Sequence, residues 1–522
     1  MAYNSFPYLC IFLPLCWLAW ALLPQRYRPV ALLGGSLVFY WLMAGTYTVW
    51  LLLAAALTWA LGLWLGRLQD LQAATTPALD PGARKAAKKS FTALQKSLVA
   101  GGSVALLGLL VWLKYLPFLV RTANSLLARL PMGWQIATPT LVQPVGLSFF
   151  TLMAISYLVD VRRGTTRPAV HYWQVLLYLS FWPHVVEGPF DRWGQISPAL
   201  LDPPKPDYRA FTFGVQRILW GMMKKLILAD RANMYVKAVF DDWTQYSGAA
   251  VVVGTLLYTL QLYAEFSGCM DMVVGAAECF GVPLAENFRQ PFFSRSIGEF
   301  WRRWHITLGA WLREYLFQPV IVSKPMLRFG KWCNTRFGAA LGRSLPVWAG
   351  LLLTWLAIGL WHGAGWLYVV YGLYYFFLQW LGQAAEPTLL RLLPRLPQWR
   401  EHRIYRLWQV ARTFVLVNLG MLLFRANGTR AALDMLASLR RPYTDSLLIK
   451  LDIRDLWVLA VGALVLLAVD LLHERGVSIR ATLAARPLPL RWAVYCGGML
   501  AVMIFGAYGD NYDPAAFIYA QF

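Results

Sequence analysis

Charge is what this chain has least of. Only 14% of its 522 residues are Asp, Glu, Lys or Arg, where a soluble domain carries about 25%. Acidic residues are the scarcer sign, 26 against 48 basic, which leaves a formal net charge of +22. Cysteine is scarce as well. The six, Cys10, Cys16, Cys269, Cys279, Cys333 and Cys496, form no C-x-x-C pair. That implies no disulfide framework or thiolate metal site, and they read as small core hydrophobes. A Gly-rich phosphate loop and an internal repeat are both missing. The N-terminal MAYNSFPYLC has no basic n-region, so the first apolar run reads as an uncleaved helix rather than a signal peptide.

What is present is apolar. Hydrophobic residues make up 58% of the chain and aromatics 15%, with 26 tryptophans. Long apolar runs recur throughout, the pattern of an all-α, polytopic membrane protein. Spanning helices are expected near residues 6–24, 29–45, 47–66, 97–118, 141–161, 170–186, 209–229, 247–267, 346–362, 365–383, 405–424, 455–472 and 490–508. Together they read as one integral membrane domain: N-terminal helices over 1–140, a core over 141–383 and C-terminal helices over 384–522. The part from Gly268 to Phe317 is too polar to face lipid and is expected to hold re-entrant or buried helices.

The basic excess sits between the apolar runs, so it is read as the positive-inside signal and as contact with anionic headgroups, not as a nucleic-acid surface. Arg26 and Arg28 follow the first run, which places the N-terminus outside. From an outside N-terminus, alternation makes the clusters Arg67–Lys96 and Arg162–Arg167 cytoplasmic. Counted back from an outside C-terminus, the clusters Lys324–Arg343, Arg391–Arg406 and Arg475–Arg491 are cytoplasmic too, and residues 425–454 form an extracytoplasmic loop. Ala73–Lys89 is expected to be a mobile polar loop, and Pro203, Pro204 and Pro206 mark another connection.

The densest polar stretch is Arg289–Gln318, RQPFFSRSIGEFWRRWHITLGAWLREYLFQ. Ser296 and Glu299 have the spacing of a capping box, and Glu299 stands four residues before Arg303, the favoured order for a helical ion pair. Read as one helix, the stretch puts Trp301, Trp304, His305 and Leu308 on a single face. A second focus is IGLWHGAGW, Ile358–Trp366, where His362 ends an apolar run and Gly363 and Gly365 permit close approach of backbone or ligand. From the residues alone, His362 is either a general base, since imidazole titrates near operating pH, or an interfacial histidine reaching water. His305 is either part of a reaction chamber or a core histidine among tryptophans. Arg302, Arg303 and Arg313 suit phosphates or headgroups, but Glu299 and Glu314 equally suit them as partners. Trp301, Trp304 and Trp311 read mainly as packing. Asn287 reads as a residue that orients the loop before the helix, or as an ordinary turn asparagine. His184 and Glu187 have H-x-x-E spacing with too few further ligands for zinc, and Asp191 and Arg192 are expected to pair at the membrane surface. Glu265 and Asp271 are expected to pair with a nearby arginine.

SRSIGEFWRRWHITLGAWLREYLF and LWHGAGW together resemble the membrane-bound O-acyltransferases. So do PVGLSFFTLMAISYLVDVRRG from Pro144, YTLQLYAEFSGCMDM from Tyr258, GVPLAENFRQPFFSRS from Gly281 and the terminal FIYAQF. The nearest branches are the bacterial alginate O-acetyltransferases and the D-alanyl transferases of teichoic acid. The chain departs from the family's usual D-F-S-G-Y by Glu265 and Cys269. The resemblance implies a helix bundle around a central funnel or tunnel. It implies His362 as the catalytic base and His305 as its partner in the chamber. Trp301, Arg302, Arg303, Trp304, Asn287 and Trp361 are the expected substrate- or donor-binding residues.

The implied activity moves an acyl group, acetyl by preference, from a cytoplasmic thioester across the membrane to a cell-surface polysaccharide. No bound cofactor or metal is expected; the donor would be acetyl-CoA or an acyl-carrier thioester. Expected partners are the lipid bilayer, an extracytoplasmic SGNH-type acyltransferase or a small acyl carrier protein. The expected location is the cytoplasmic (inner) membrane, crossed many times. The alternatives are D-alanyl transfer to teichoic acid and, from other classes, a polysaccharide transporter or a non-catalytic scaffold.

Overall fold

Apolar runs of this length leave the backbone one way to satisfy its own polar groups away from water, which is to coil. The computed structural model describes residues 1–130, 134–441 and 448–508. Among them the structure is helical, with one isolated antiparallel bridge between Phe288 and Trp304. The motif FIYAQF lies outside the described residues. The helices used below are α1 (Leu13–Leu22), α2 (Arg28–Ala44), α3 (Thr48–Thr75), α4 (Pro81–Leu110), α5 (Leu147–Arg163), α6 (Tyr172–Ser180), α7 (Tyr208–Met222), α8 (Gly248–Cys279), α9 (Ile297–Arg303), α10 (Ile306–Leu312), α11 (Lys324–Phe337), α12 (Ala339–His362), α13 (Trp366–Leu392), α14 (Arg403–Arg425), α15 (Ile453–Glu474) and α16 (Leu488–Phe505). Among the described residues, seven stretches are long and apolar enough to cross a membrane: Gln25–Ala78, Pro81–Leu127, Gly248–Cys279, Ala339–His362, Arg403–Arg425, Ile453–Glu474 and Leu488–Phe505. The chain is a polytopic, all-α membrane protein.

The contacts divide the chain into two units, Met1–Val215 with Val273–Ala285, and Gln216–Met272 with Glu286–Phe522. In the first, α3 packs against α4, α5 and α6. The expected mobile loop from Ala73 to Lys89 is instead mostly helical. α3 continues to Thr75, a short turn covers Thr76–Ala78, and α4 starts at Pro81. Asp80 caps α4 by accepting from the Ala83 N–H, and Pro81 sits at the first position, where its missing N–H costs nothing. The run 170–186 is broken at Phe181, between α6 and a single turn over Trp182–Val185 that begins with Pro183 near its start.

In the second unit two glycine pairs set the closest helix approaches. A Cβ at Gly221 or at Gly268 would meet the carbonyl oxygen of the other, so α7 and α8 touch backbone to backbone. A Cβ at Gly359 would strike the Tyr368 carbonyl, and one at Gly372 the Trp355 carbonyl, which brings α12 and α13 equally close. Small residues at such contacts are how helices associate where lipid removes the hydrophobic drive. Just past α7, Lys224 and Lys225 lie in a wider π-helical turn, Met223–Ala229. Lys225 Nζ pairs with Glu265 and Asp230 at 2.8 Å each. Lys224 donates to Ser267 Oγ at 2.8 Å and pairs with Asp271, which Arg217 also holds at 2.9 Å. The expected arginine for Asp271 is therefore Arg217, while Glu265 takes a lysine. Buried charges persist only when paired in this way.

Candidate active site

The WRRWH segment does not form one helix. α9 ends at Arg303, Trp304 is extended, His305 turns into the left-handed region at φ 50° and ψ 49°, and α10 starts at Ile306. The expected common face of Trp301, Trp304, His305 and Leu308 is thereby lost. The cause is a strap of chain from upstream. Arg289 N–H donates to the Arg303 carbonyl at 2.9 Å, Ile306 N–H donates to the Asn287 carbonyl at 3.0 Å, and Phe288 bridges to Trp304. The strap takes hydrogen bonds that a continuous helix would keep for itself.

Upstream, the cap is half as expected. Ser296 Oγ accepts from the Glu299 N–H at 3.2 Å, but Glu299 reaches back to the N–H of Arg295, not of Ser296. The Glu299–Arg303 pair forms at 2.9 Å, and Glu474 holds Arg303 as well, at 2.7 and 3.1 Å. Arg302 and Arg313 are exposed.

His362 is the last residue of α12 and is 3% exposed; His305 is 2% exposed. Their ring centroids lie 6.4 Å apart. Trp361 packs against His305 at 5.4 Å, and Phe266 of α8 meets it edge to face at 4.8 Å. Phe424 and Tyr371 meet the His362 ring at 5.2 and 6.0 Å. Beyond His362 a Cβ at Gly363 would fall on the Tyr368 ring, so the close approach that Gly363 permits is made by Tyr368. The result is a buried aromatic surround for two imidazoles. Burial, and next the neighbouring His362, hold the His305 pKa well below the usual 6.5, so its ring is neutral near pH 7.

Asn287 is buried beneath this pair. Its Oδ1 accepts from Thr307 N and Thr307 Oγ1 at 3.1 and 3.0 Å, and lies 3.3 Å from His305 Nδ1. Trp304 stacks on Phe300 at 5.5 Å. Trp301 packs among Trp355, Tyr371 and Tyr375, one ring removed from His362, and its buried indole N–H has no hydrogen-bond partner among the described residues. The structure thus gathers His305, His362, Trp361 and Asn287, and leaves Arg302 outside. Phe266, Thr307, Tyr371 and Phe424 also belong to this surround. No local pattern marks them, because they come from four different helices, α8, α10, α13 and α14.

The second histidine motif lies in the first unit. His184 Nδ1 stands 3.8 Å from Asp191 Oδ2, both fully buried, and Asp191 Oδ1 accepts from the Ala285 N–H. Asp191 therefore faces His184 rather than pairing with Arg192 at a surface. No group of three or more His, Cys, Asp or Glu able to hold a metal occurs among the described residues.

The chain is thus a polytopic helical membrane protein that buries two histidines 6.4 Å apart in an aromatic surround. The sequence comparisons give its family. The family described as "MBOAT, membrane-bound O-acyltransferase family" matches residues 169–417. The chain is 33% identical to the probable alginate O-acetylase of Pseudomonas aeruginosa, across 83% of this chain and 74% of that protein. It is 30% identical to the probable alginate O-acetylase of Pseudomonas putida over the full length of both. It is also similar to the teichoic acid D-alanyltransferase of Bacillus subtilis, at 27% identity over 45% of this chain and 58% of that one. The chain belongs to the membrane-bound O-acyltransferase family, and it is a membrane O-acyltransferase.

Proposed function

We propose that the chain transfers acetyl groups from a cytoplasmic thioester, acetyl-CoA or an acyl-carrier thioester, toward hydroxyls of an extracytoplasmic polysaccharide. The observation that carries the reading is the close approach of His305 and His362 in a buried aromatic surround. His362 acts as general base. It takes the proton of an acceptor hydroxyl as the oxygen attacks the thioester carbonyl; the C–S bond then breaks, and the leaving thiolate recovers a proton. The aromatic walls exclude water, which would otherwise hydrolyse the thioester. The similarity to alginate O-acetylases supports acetyl as the group and a polysaccharide as the final acceptor. The relay from enzyme to polymer runs through an SGNH-type partner outside a cytoplasmic (inner) membrane. A second reading, D-alanyl transfer to teichoic acid fed by an acyl carrier protein, is supported by the similarity to D-alanyltransferases.

The test is the acid released by mild base from surface polymers of cells with and without the chain, identified by mass spectrometry. Chain-dependent acetate is expected. Chain-dependent D-alanine would install the second reading, and no chain-dependent acid would overturn both in favour of a transporter or scaffold.

A further inference from the structure

Asn287 does more than shape the strap before α9. We propose that it is a positioning residue that holds His305 as the Nδ1–H tautomer, so that His305 Nε2 serves the reaction as a hydrogen-bond acceptor for a hydroxyl and not as a donor to the thioester carbonyl. This inference rests on the proposal that His305 and His362 form the transfer site.

One group beside the ring has a fixed role. The Thr307 backbone N–H can only donate, and it points at the Asn287 side chain at 3.1 Å. The atom it meets must be the amide oxygen, which removes the usual ambiguity between oxygen and nitrogen in an asparagine. The amide nitrogen then faces Met270 Sδ at 3.3 Å, an acceptor. The same oxygen lies 3.3 Å from His305 Nδ1 and has no hydrogen to give, so Nδ1 carries the proton. In a neutral imidazole the other nitrogen is then a lone pair. Phe266 of α8, Asn287 and Thr307 of the strap and α10, and Trp361 and His362 of α12 face the ring. Of these residues only His362 titrates, and the depressed pKa of His305 keeps the neutral form that the tautomer argument needs.

The backbone agrees with the side chain. His305 sits at φ 50°, a conformation that L residues adopt only when their surroundings impose it. Asn287 imposes it twice, through its carbonyl on Ile306 N–H and its amide oxygen on Thr307, the residues immediately after the turn. One buried residue thus sets both the direction and the protonation of the imidazole, as the outer partners of ligating and catalytic histidines do elsewhere.

The chemical consequence divides the labour. A nitrogen lone pair can receive a hydroxyl hydrogen, so His305 sits on the acceptor-alcohol side of the reaction. Stabilisation of the developing oxyanion has to come from another donor.

The experiment is nitrogen NMR on full-length protein labelled at histidine nitrogens and reconstituted in lipid, with His305 assigned from the His305→Gln spectrum. Wild type is expected to show His305 protonated at Nδ1. Asn287→Asp keeps the acceptor but adds a charge within hydrogen-bond reach, so the tautomer persists and the His305 titration midpoint rises by about one pH unit or more. Asn287→Leu removes the acceptor, and an Nε2–H population should appear. Ester formation in cells, at matched membrane levels, should fall by about 10- to 100-fold in Asn287→Leu and be partly restored in Asn287→Asp. A wild-type His305 protonated at Nε2, or a tautomer unmoved by Asn287→Leu, overturns the inference. If His305→Ala leaves ester formation intact, the transfer role proposed for His305 fails instead, whatever the spectra show.

Discussion

At the scale of single residues, the site is held by contacts that leave little slack. Gly363 has no room for a side chain, since a Cβ there would fall on the Tyr368 ring. Gly363→Ala is therefore expected to displace Tyr368 or the end of α12 that carries His362. Ester formation should drop at least tenfold while membrane levels stay near normal; unchanged activity would show that this approach is not needed. His305 has a pH signature. Its folded-state pKa lies well below the unfolded 6.5 because burial and His362 disfavour the imidazolium. The unfolded chain then binds more protons below 6.5, so stability should be at its plateau above that pH and decline as pH falls through it. Thermal unfolding of wild type and His305→Gln between pH 7.5 and 5 measures this, and the decline should be shallower in the variant. Both histidines were legible as candidates in the sequence, His362 because it ends an apolar run and His305 because it lies in the densest polar stretch, in WRRWH. The turn at His305 was not. It depends on Asn287, 20 residues from Thr307, and helical spacing carries no information about a strap that removes hydrogen bonds.

At the scale of elements, the helices followed the sequence where apolar length and caps agreed. The start of α4 was missed because the basic residues beyond Pro81 suggested a loop, whereas Asp80 and Pro81 together form a helix start. Glu265, where the sequence departs from the family pattern, pairs with Lys225 and so links α8 to the turn after α7. Lys225→Met would leave the buried carboxylate of Glu265 and the partly buried one of Asp230 without their shared cation. A loss of about 3–5 kcal/mol is expected, read as a lower unfolding midpoint in detergent. Glu265→Gln should cost less, because Asp230 remains. Equal losses would mean that the two carboxylates do not share the lysine as the geometry has it.

At the scale of the whole molecule, the sequence was most informative about class: among the described residues seven stretches suit membrane crossing, and scarce charge had already excluded a soluble fold. The positive-inside reading of the basic clusters makes a prediction about the side on which each connection lies. In a chain with the exposed Cys10 and Cys496 changed to serine, Lys89→Cys is expected to react with an impermeant maleimide only after permeabilisation, and Arg430→Cys without it. The reverse pattern would invert the topology and with it the direction of acyl transfer.

The central claim is that His362 performs acyl transfer. Its most direct test is the ester content of surface polymers in cells carrying wild type or His362→Ala at matched membrane levels. The account predicts that the ester disappears in the variant while the protein stays folded in the membrane. Wild-type ester levels in His362→Ala would contradict it.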